Sequence, residues 1–335
     1  NQDEIIKYLK SDLFKGKLNG RPKFVITPNI LKEISLLEDK NLLRYLIHRY
    51  RYDIYPEIQK HDAYPPYLQI EPTSICNYRC VFCFQTNNEF TKKSSGYMGK
   101  MNLEIFKETV DQSIGNIEFL SLASRGEPLS APNINEMLEY TKGKFLNLKI
   151  NTNASLLNEK KSHTILENGV GTLVFSADAA DSELYSKLRV RGKLEKVVSN
   201  IKRFNEIKEK YYPKSKIITR VSGVKVNNLQ NFKEMEKFWK SLADQVAFVD
   251  YCPWEDVYND KINKITDPCT ELWRRMYVWW DGVANPCEVD FKSSLSVGKI
   301  DKNDIGSLWT SSAYDDLRKK HKSKLRYNLD PCNKC

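Results

Sequence analysis

The stretch Glu71-Pro-Thr-Ser-Ile-Cys76-Asn-Tyr-Arg-Cys80-Val-Phe-Cys83 decides the fold, because it places three cysteines in one short segment. Three thiolates on one loop can bind three irons of a [4Fe–4S] cluster and leave the fourth iron without a protein ligand. Zinc would need a fourth cysteine or histidine close by, and the nearest candidate, His61, lies well outside the loop. A disulfide framework is typical of secreted proteins, and residues 1–10 contain no apolar signal core. The spacing predicts an iron–sulfur cluster with one open coordination site.

The composition predicts a globular protein that does not enter a membrane. Hydrophobic residues make up 41% of the 335 residues, and no apolar run approaches the ~20 residues of a membrane span. Eight cysteines without a signal segment predict a location in the reducing cytoplasm, where thiols bind metals. The sequence begins at Asn1 rather than Met, which is compatible with a longer natural chain.

The net charge of +10 predicts anionic partners. These are a phosphorylated or nucleotide-linked substrate, or an acidic electron donor such as a flavodoxin. Lysines and arginines are spread along the whole chain rather than concentrated in one stripe with aromatic residues, so the pattern does not favour nucleic-acid binding. The densest basic run, Arg318–Arg326, predicts the solvated face of a helix.

The pattern of apolar residues predicts three parts: a helical extension over 1–66, an α/β domain over 67–255 and a small domain over 256–335. Strands and helices alternate through the middle part, which predicts a parallel sheet. The predicted strands are 67–71, 117–123, 145–151, 171–177, 216–226 and 245–252. The predicted helices between them include 102–113, 132–142, 158–167 and 193–208.

The cysteine loop, with Asn77 after its first cysteine and Phe82 before its last, resembles the cluster-binding loop of the radical SAM superfamily. The resemblance implies a partial (β/α)6 TIM-like barrel, with the chemistry at the C-terminal ends of the strands. It also implies a [4Fe–4S] cluster on Cys76, Cys80 and Cys83 that cleaves S-adenosylmethionine (SAM) to a 5′-deoxyadenosyl radical. A flavodoxin- or ferredoxin-type protein would supply the electron.

A turn after the second predicted strand, Ser124-Arg-Gly-Glu-Pro128, is similar to the Gly-Gly-Glu-Pro turn with which this family holds SAM. Gly126 would let the backbone approach the ligand, and Glu127 would accept a hydrogen bond from its ammonium group. Arg125 stands where the first glycine is usual, so the sequence departs from the family pattern there.

Two later strand ends also resemble SAM-contacting positions of the family. They are Asn151-Thr-Asn153 and Ser176-Ala-Asp178, and Arg189 further matches an arginine that pairs with the SAM carboxylate. Each of these is also compatible with ordinary loop capping when taken alone. The resemblance therefore implies the following SAM contacts: Phe82, Gly126, Glu127, Asn153, Ser176 and Arg189.

A second set of cysteines follows the predicted barrel: Cys269, Cys287, Cys332 and Cys335. The Asp281-Gly282 pair between the first two predicts a β-hairpin over residues 276–287, and a helix precedes the terminal Cys-x-x-Cys. This layout resembles the SPASM/twitch domain of 2-deoxy-scyllo-inosamine dehydrogenase-type enzymes. It implies an auxiliary [4Fe–4S] cluster with four cysteine ligands, although a structural zinc site uses the same ligand set.

The reaction depends on where the electron of a substrate radical goes. Transfer to the auxiliary cluster, with Glu288, Asp250 or Asp290 as the base, would dehydrogenate an alcohol. Strand alternation puts Asp250 and Cys252 on one face of the last barrel strand, and a hydrogen atom returned by Cys252 would instead epimerise the substrate. Cys252 is equally compatible with a buried cysteine that acts as a small apolar side chain.

The resemblance favours a small-molecule substrate, namely a sugar, an aminocyclitol or a nucleotide-sugar, and dehydrogenation as the reaction. The main alternative is a maturase that modifies a peptide, for which residues 1–66 would dock a leader segment. A zinc-binding scaffold without catalytic activity is the alternative from a different class.

Overall fold

The computed structural model describes residues 2–14, 21–252, 254–301 and 303–335. Its helices are α1 Gln2–Phe14, α2 Pro28–Ile34, α3 Asp39–Ile58, α4 Asn88–Thr91, α5 Leu103–Ser113, α6 Ile134–Thr141, α7 Glu159–Glu167, α8 Ser182–Leu188, α9 Leu194–Tyr211, α10 Phe232–Lys240, α11 Glu271–Arg274, α12 Ile305–Trp309 and α13 Ser312–Lys322. Its strands are β1 Tyr67–Ile70, β2 Arg79–Cys80, β3 Phe119–Leu122, β4 Asn147–Thr152, β5 Thr172–Ser176, β6 Arg189–Val190, β7 Ile218–Lys225, β8 Gln245–Asp250, β9 Arg275–Val278, β10 Val283–Asn285 and β11 Gly298–Lys299.

Nine strands form one sheet in the order β11-β10-β9-β1-β3-β4-β5-β7-β8. The strands from β9 to β8 run parallel, and β10 and β11 run antiparallel to their neighbours. The six strands from β1 to β8 correspond to the six predicted strand–helix units, so the prediction of an α/β, TIM-like partial barrel is confirmed. Strands β8 and β11 are the two edges of the sheet.

The helices that follow the barrel strands begin and pack as their sequences dictate. Each of α5, α7, α8 and α10 starts after an Asn or Asp whose side chain accepts a hydrogen bond from the first turn of the helix. The apolar stripe predicted for α9 is buried against the sheet, with Val197, Ile201 and Phe204 fully inaccessible. Burial of this stripe against the strands is the main reason for the helix to form there.

The N-terminal helices cover the end of the barrel at which the parallel strands start. Residues of α3 stack on two rings at the starts of β1 and β3. The His48 and Phe119 ring centroids are 3.9 Å apart, and the Tyr52 and Tyr67 centroids are 5.7 Å apart. The predicted helical character of residues 1–66 is confirmed for the described part of that segment. The domain boundaries after residues 66 and 255 stay predictions.

The predicted hairpin is present, but its partner was not foreseen. Strands β9 and β10 pair across a turn that contains Asp281 and Gly282, and Gly282 has a φ of +81°, which favours glycine. Strand β9 also pairs in parallel with β1, with Gln69 opposite Tyr277. The small C-terminal domain therefore extends the barrel sheet rather than lying apart from it.

The prediction that Arg318–Arg326 is wholly a solvated face is wrong. Arg318 and His321 expose 2% and 0% of their surface. The Arg318 guanidinium lies 4.3 Å from the Trp309 ring centroid and donates a hydrogen bond to the Leu272 carbonyl. The lysines of this run, Ser323 and Leu325 face solvent, whereas Arg318, His321 and Arg326 are buried. None of the described helices is long and apolar enough to cross a membrane.

Candidate active site

A single cavity of about 540 Å³ lies at the C-terminal ends of the strands and is lined by cysteines from both sets. Cys76, Cys80 and Cys83 lie on the loop after β1, and their side chains meet the cavity wall together with Cys269, Cys287 and Cys335. The eight cysteines are free thiols in the described part of the chain. The cavity therefore joins two groups of thiols that are far apart in sequence.

The first group of thiols is surrounded by hydrogen-bond donors. Cys76 Sγ accepts from the Tyr78 backbone N–H at 3.4 Å and from Asn153 Nδ2 at 3.9 Å, and Arg189 Nη1 lies 3.8 Å from Cys80 Sγ. Burial raises the pKa of the Cys76 thiol to about 12, so a bound metal would have to displace its proton. Donors that point at sulfur stabilise the thiolate form, which is the form that binds iron.

Two features of this region fit the SAM cosubstrate and its cluster. A Cβ atom at Gly126 would overlap with the Thr73 carbonyl oxygen and lie 2.7 Å from the Ile75 carbonyl oxygen, so the turn must approach the cysteine loop through glycine. The buried Ser124 Oγ and Asn151 Oδ1 face this cavity without a partner among the described residues. Buried polar atoms without a partner are unusual, and these two could bind a polar ligand in the cavity.

Glu127 connects the turn after β3 to the end of β4. Its carboxylate accepts hydrogen bonds from Thr152 Oγ1 at 2.6 Å, the Asn153 N–H at 2.7 Å and the Leu129 N–H at 3.0 Å. Burial raises the pKa of this carboxyl group, although these donors oppose the shift. Glu127 therefore fixes the positions of Asn153 and of the turn, and it also lines the cavity.

Arg189 is placed by a buried ion pair. Its Nε lies 2.6 Å from Asp178 Oδ2, at the end of β5, and its guanidinium carbon lies 5.8 Å from the Phe82 ring centroid. Strand β6 brings Arg189 opposite Cys80 in a short antiparallel pair. The structure thus places predicted SAM contacts Phe82, Gly126, Glu127, Asn153, Ser176 and Arg189 on one cavity. Their individual roles stay predictions.

Arg125, the departure from the family turn, binds Glu71 at the end of β1. Its Nε and Nη2 each lie 2.7 Å from a carboxylate oxygen of Glu71, and Nη1 donates to the Phe291 carbonyl at 3.1 Å. The guanidinium also lies 4.2 Å from the Trp279 ring centroid. From the sequence, Arg125 was identified only as a departure from the usual glycine. Its partners Glu71 and Phe291 are distant in sequence, and the local pattern does not indicate such contacts.

The second set of cysteines surrounds a small apolar cavity of about 30 Å³, lined by Cys269, Cys287, Cys332 and Cys335. His321 Nδ1 accepts from the Cys269 N–H, and Arg326 donates to the Cys332 and Cys335 carbonyls. Burial raises the pKa of Cys269 to about 11. Four thiols on one cavity wall fit a cluster with four cysteine ligands. Within the described residues, no three metal-binding side chains converge on a point that could hold a single metal ion.

The candidate catalytic residues fall in different surroundings. Glu288 lines the deep part of the cavity and accepts a hydrogen bond from Gln69 Nε2 at 2.7 Å, and burial raises its pKa. Asp250 lies at the rim, 88% exposed, and pairs with Lys225 at 2.9 Å. Cys252 lies beyond the end of β8, with its Sγ 3.8 Å from Cys335 Sγ. Asp250 is among the residues that line the cavity, whereas Cys252 is not.

Asp290, a third candidate base, is fully buried, and its carboxylate already accepts hydrogen bonds from other residues of the protein. Its carboxylate accepts hydrogen bonds from the Ser294 and Leu295 N–H groups and from Tyr258 Oη. Sequence reasoning missed two polar residues on the inner side of the barrel, Lys149 and Gln69. The available signal was a polar residue in the middle of a predicted barrel strand. Such strands are usually apolar, so a lysine or glutamine there indicates a side chain that faces a cavity.

Comparison with known families agrees with this geometry. Residues 70–238, half of the chain, match the radical SAM superfamily, and residues 269–335 match SPASM, an iron–sulfur cluster-binding domain. The chain therefore belongs to the radical SAM superfamily. It is a radical SAM enzyme with a SPASM domain, and membership of these families implies [4Fe–4S] clusters and SAM as its cofactors.

Individual relatives are distant. The subtilosin biosynthesis protein AlbA of Bacillus subtilis is 26% identical over 160 residues, which cover 47% of this chain and 34% of AlbA. The chain spans about a third of the length of the first curated relatives that it matches. Among solved structures, BtrN in complex with AdoMet and 2-DOIA has a TM-score of 0.56 at 18% identity, covering 82% of this chain and 94% of BtrN. SuiB of Streptococcus suis, bound to its precursor peptide SuiA, has a TM-score of 0.62 at 16% identity, covering 95% and 78%.

Proposed function

We propose that this enzyme dehydrogenates a small-molecule alcohol, such as a sugar, an aminocyclitol or a nucleotide-sugar. The observation that carries the proposal is the shared cavity, because the two groups of thiols and Glu288 line the same space. Its volume of about 540 Å³ suits a small ligand beside SAM. A substrate held there would lie beside both groups of cysteines and beside Glu288.

When bound, the cofactors supply a radical that removes one hydrogen atom from the substrate and a second cluster that accepts one electron. The residue that would take the remaining proton is Glu288. Its carboxylate lies beside Cys287 and is held by Gln69. Burial raises its pKa above that of an exposed glutamate, which makes its carboxylate a stronger base. Asp250 is less suited, since its side chain faces solvent and is paired with Lys225.

The first cluster is assigned to Cys76, Cys80 and Cys83, and the auxiliary cluster to Cys269, Cys287, Cys332 and Cys335. The donors around Cys76 and Cys80 support the first assignment, and the shared small cavity supports the second. Cys252 contacts the sulfur of Cys335, so it lies beside the auxiliary site. That position gives less support to Cys252 as a hydrogen donor in an epimerase.

The experiment is an anaerobic assay of the reconstituted chain with SAM and dithionite against a panel of sugars, aminocyclitols, nucleotide-sugars and peptides. The proposal predicts one equivalent of 5′-deoxyadenosine for each product molecule that has lost two hydrogen atoms. The Glu288→Gln variant should still form 5′-deoxyadenosine but little ketone, whereas Asp250→Asn should oxidise substrate at close to the normal rate. Cys252→Ala should also keep turning over; an epimerase would stall or release 5′-deoxyadenosine without product.

A second candidate, peptide modification, is favoured by the similarity to AlbA and by the fold of SuiB. In this chain, however, α3 is packed against Tyr67 and Phe119 at the closed end of the barrel. The described N-terminal helices therefore already have a structural role, which is to cover this end of the barrel. Docking of a leader peptide is not needed to explain their presence. A covalently modified peptide in the panel, with no change in any small molecule, would establish this second function instead.

A further inference from the structure

The deep end of the cavity contains a positively charged side chain, Lys149, that has no role in the proposed oxidation. Lys149 projects from β4 and Arg275 from β9, and both line the cavity. The Lys149 ammonium lies 5.7 Å from the Tyr67 ring centroid, and the Arg275 guanidinium carbon lies 4.8 Å from the same centroid. Two cations thus share one aromatic ring at the inner end of the barrel.

The arginines of the cavity all have carboxylate partners. Arg125 pairs with Glu71, Arg189 with Asp178, and Arg275 with Glu271 at 3.5 Å. Arg275 also donates to Tyr52 Oη and more weakly to Gln69 Oε1. These guanidinium groups are therefore largely committed to holding the protein together.

Lys149 differs, because its ammonium makes no hydrogen bond or ion pair with any described residue; it lies near the Tyr67 ring and interacts at longer range with the charges of Arg275 and Glu288. Burial and the nearby Arg275 lower its pKa to about 8, so it still carries a charge at neutral pH. Lys149 is half-buried, and a charged group that is partly removed from water without an ion-pair partner is unfavourable. An anionic ligand at this point would relieve that cost.

Glu288 lies in the same part of the cavity and has a fixed orientation. Gln69 donates from Nε2 to Glu288 Oε1 at 2.7 Å and accepts from Arg275 and Ser121 through Oε1. Among the described residues, the inner end of the cavity therefore presents one cation without an ion-pair partner, Lys149, and one oriented carboxyl group, Glu288. An anionic group would be attracted to Lys149, so that end of a substrate would lie deepest in the cavity.

We propose that Lys149 binds a carboxylate or phosphate group of the substrate and that the substrate is consequently an anionic small molecule. This inference rests on the proposed function, and it places the oxidised carbon on the Glu288 side of the anionic group. A substrate without a negative charge would leave the Lys149 ammonium unpaired and would bind more weakly.

The first test labels lysines in the reconstituted full chain by reductive methylation, followed by peptide mapping. Lys149 should react in an anion-free buffer and be protected by sodium phosphate, by sodium acetate or by both. The two salts distinguish a phosphate site from a carboxylate site. The exposed Lys196 on α9 should be methylated equally in all buffers. Methylation of Lys149 that is the same with and without either salt, or no methylation at all, would contradict the proposal.

The second test uses variants with the oxidised member of the substrate panel. Lys149→Gln should raise KM about ten- to hundredfold, the value of one charge-assisted hydrogen bond, with a smaller effect on kcat. Lys149→Arg should restore most of the affinity, and Lys196→Gln, which removes the same charge from the surface, should match the parent. Equal KM values for Lys149→Gln and the parent would overturn the inference.

The two proposals fail in different ways. If the product has not lost two hydrogen atoms while Lys149 is still protected by an anion, the proposed function is wrong and the anion site stands. If an oxidised product forms from an uncharged substrate as readily in Lys149→Gln as in the parent, the function stands and the anion site is wrong.

Discussion

The guanidinium of Arg125 and the carboxylate of Glu71 form a two-point ion pair in which both N···O distances are 2.7 Å, and neither residue exposes more than 3% of its surface. Glu71 directly follows β1, the first barrel strand, and also accepts a hydrogen bond from the Trp280 N–H. The pair therefore joins the turn after β3, the strand before the cysteine loop and the β9–β10 hairpin.

Replacing Arg125 by Met should lower the free energy of unfolding by about 3–5 kcal/mol, because the buried Glu71 carboxylate would be left without its partner. Denaturant unfolding of the anaerobic protein measures the change. Lys187→Met removes an exposed pair with Glu183 and should change the free energy of unfolding by about 0–1 kcal/mol. Similar losses in the two variants would mean that the buried pair has no special role.

Gly126→Ala should weaken SAM binding strongly, because the added methyl group would overlap with the backbone of residues 73–75. Equilibrium dialysis of the reconstituted protein with labelled SAM measures the affinity. Gly115→Ala is the control, since Gly115 has a positive φ of 78° but open space around its Cα. It should reduce stability by about 1 kcal/mol and leave SAM affinity unchanged. Loss of SAM binding in both variants would point to general misfolding.

Single cysteine variants should each remove one cluster. Cys76→Ser and Cys269→Ser should each retain about half of the iron of the parent protein, because each set of cysteines is proposed to hold one [4Fe–4S] unit. Iron and sulfide analysis with EPR spectra measures the outcome. Cys252→Ser should keep all the iron. Loss of half the iron in Cys252→Ser would instead make Cys252 a ligand of the auxiliary cluster, consistent with its 3.8 Å contact to Cys335.

His48→Phe should flatten the loss of stability in acid. Burial, then the neighbouring Arg49 and Arg51, lower the pKa of His48 well below 6.5. The folded state therefore binds fewer protons than the unfolded state, so the stability contributed above pH 6.5 is lost as pH falls below it. The parent should lose up to about 1.4 kcal/mol per pH unit relative to His48→Phe. Denaturant unfolding between pH 7 and 5 tests this.

Phe119→Leu is the control for the loss of packing, because it disrupts the stacking of the two rings and keeps the titrating His48 side chain. Phe119 stacks on the His48 ring, so Phe119→Leu lowers stability by removing packing. Because it retains His48, its difference from the parent should stay constant with pH. A difference between the parent and His48→Phe that is also constant with pH would show that His48 does not titrate in this range.

The barrel could be read from the sequence because each of its elements is defined locally. Strand β5, for example, has three consecutive apolar residues at its centre, and α9 carries one apolar stripe, so both are predicted close to their observed bounds. The pairing of β9 with β1 could not be predicted, since it joins residues about two hundred positions apart and parallel neighbours carry no local signature. The same limit applies to Arg125, whose partners lie on three separate segments.

For the site, the spacing of the cysteines identified the seven that line the two cavities. It could not predict the burial or the neighbours of the other candidate residues. Asp250 and Cys252 were expected on one face by alternation, yet β8 ends at Asp250 and alternation no longer applies beyond it. Lys149 was not considered because it is a single charged residue in a strand. Its lack of a partner becomes visible only when the neighbouring strands are in place.

The parallel contact between β9 and β1 limits how this protein can be shortened. Without residues 269–335, β1 would expose a full row of unpaired amide and carbonyl groups, and exposed strand edges of that kind promote aggregation. A truncated barrel is therefore a poor candidate for separate expression, and any engineering of one cluster-binding region has to retain the other.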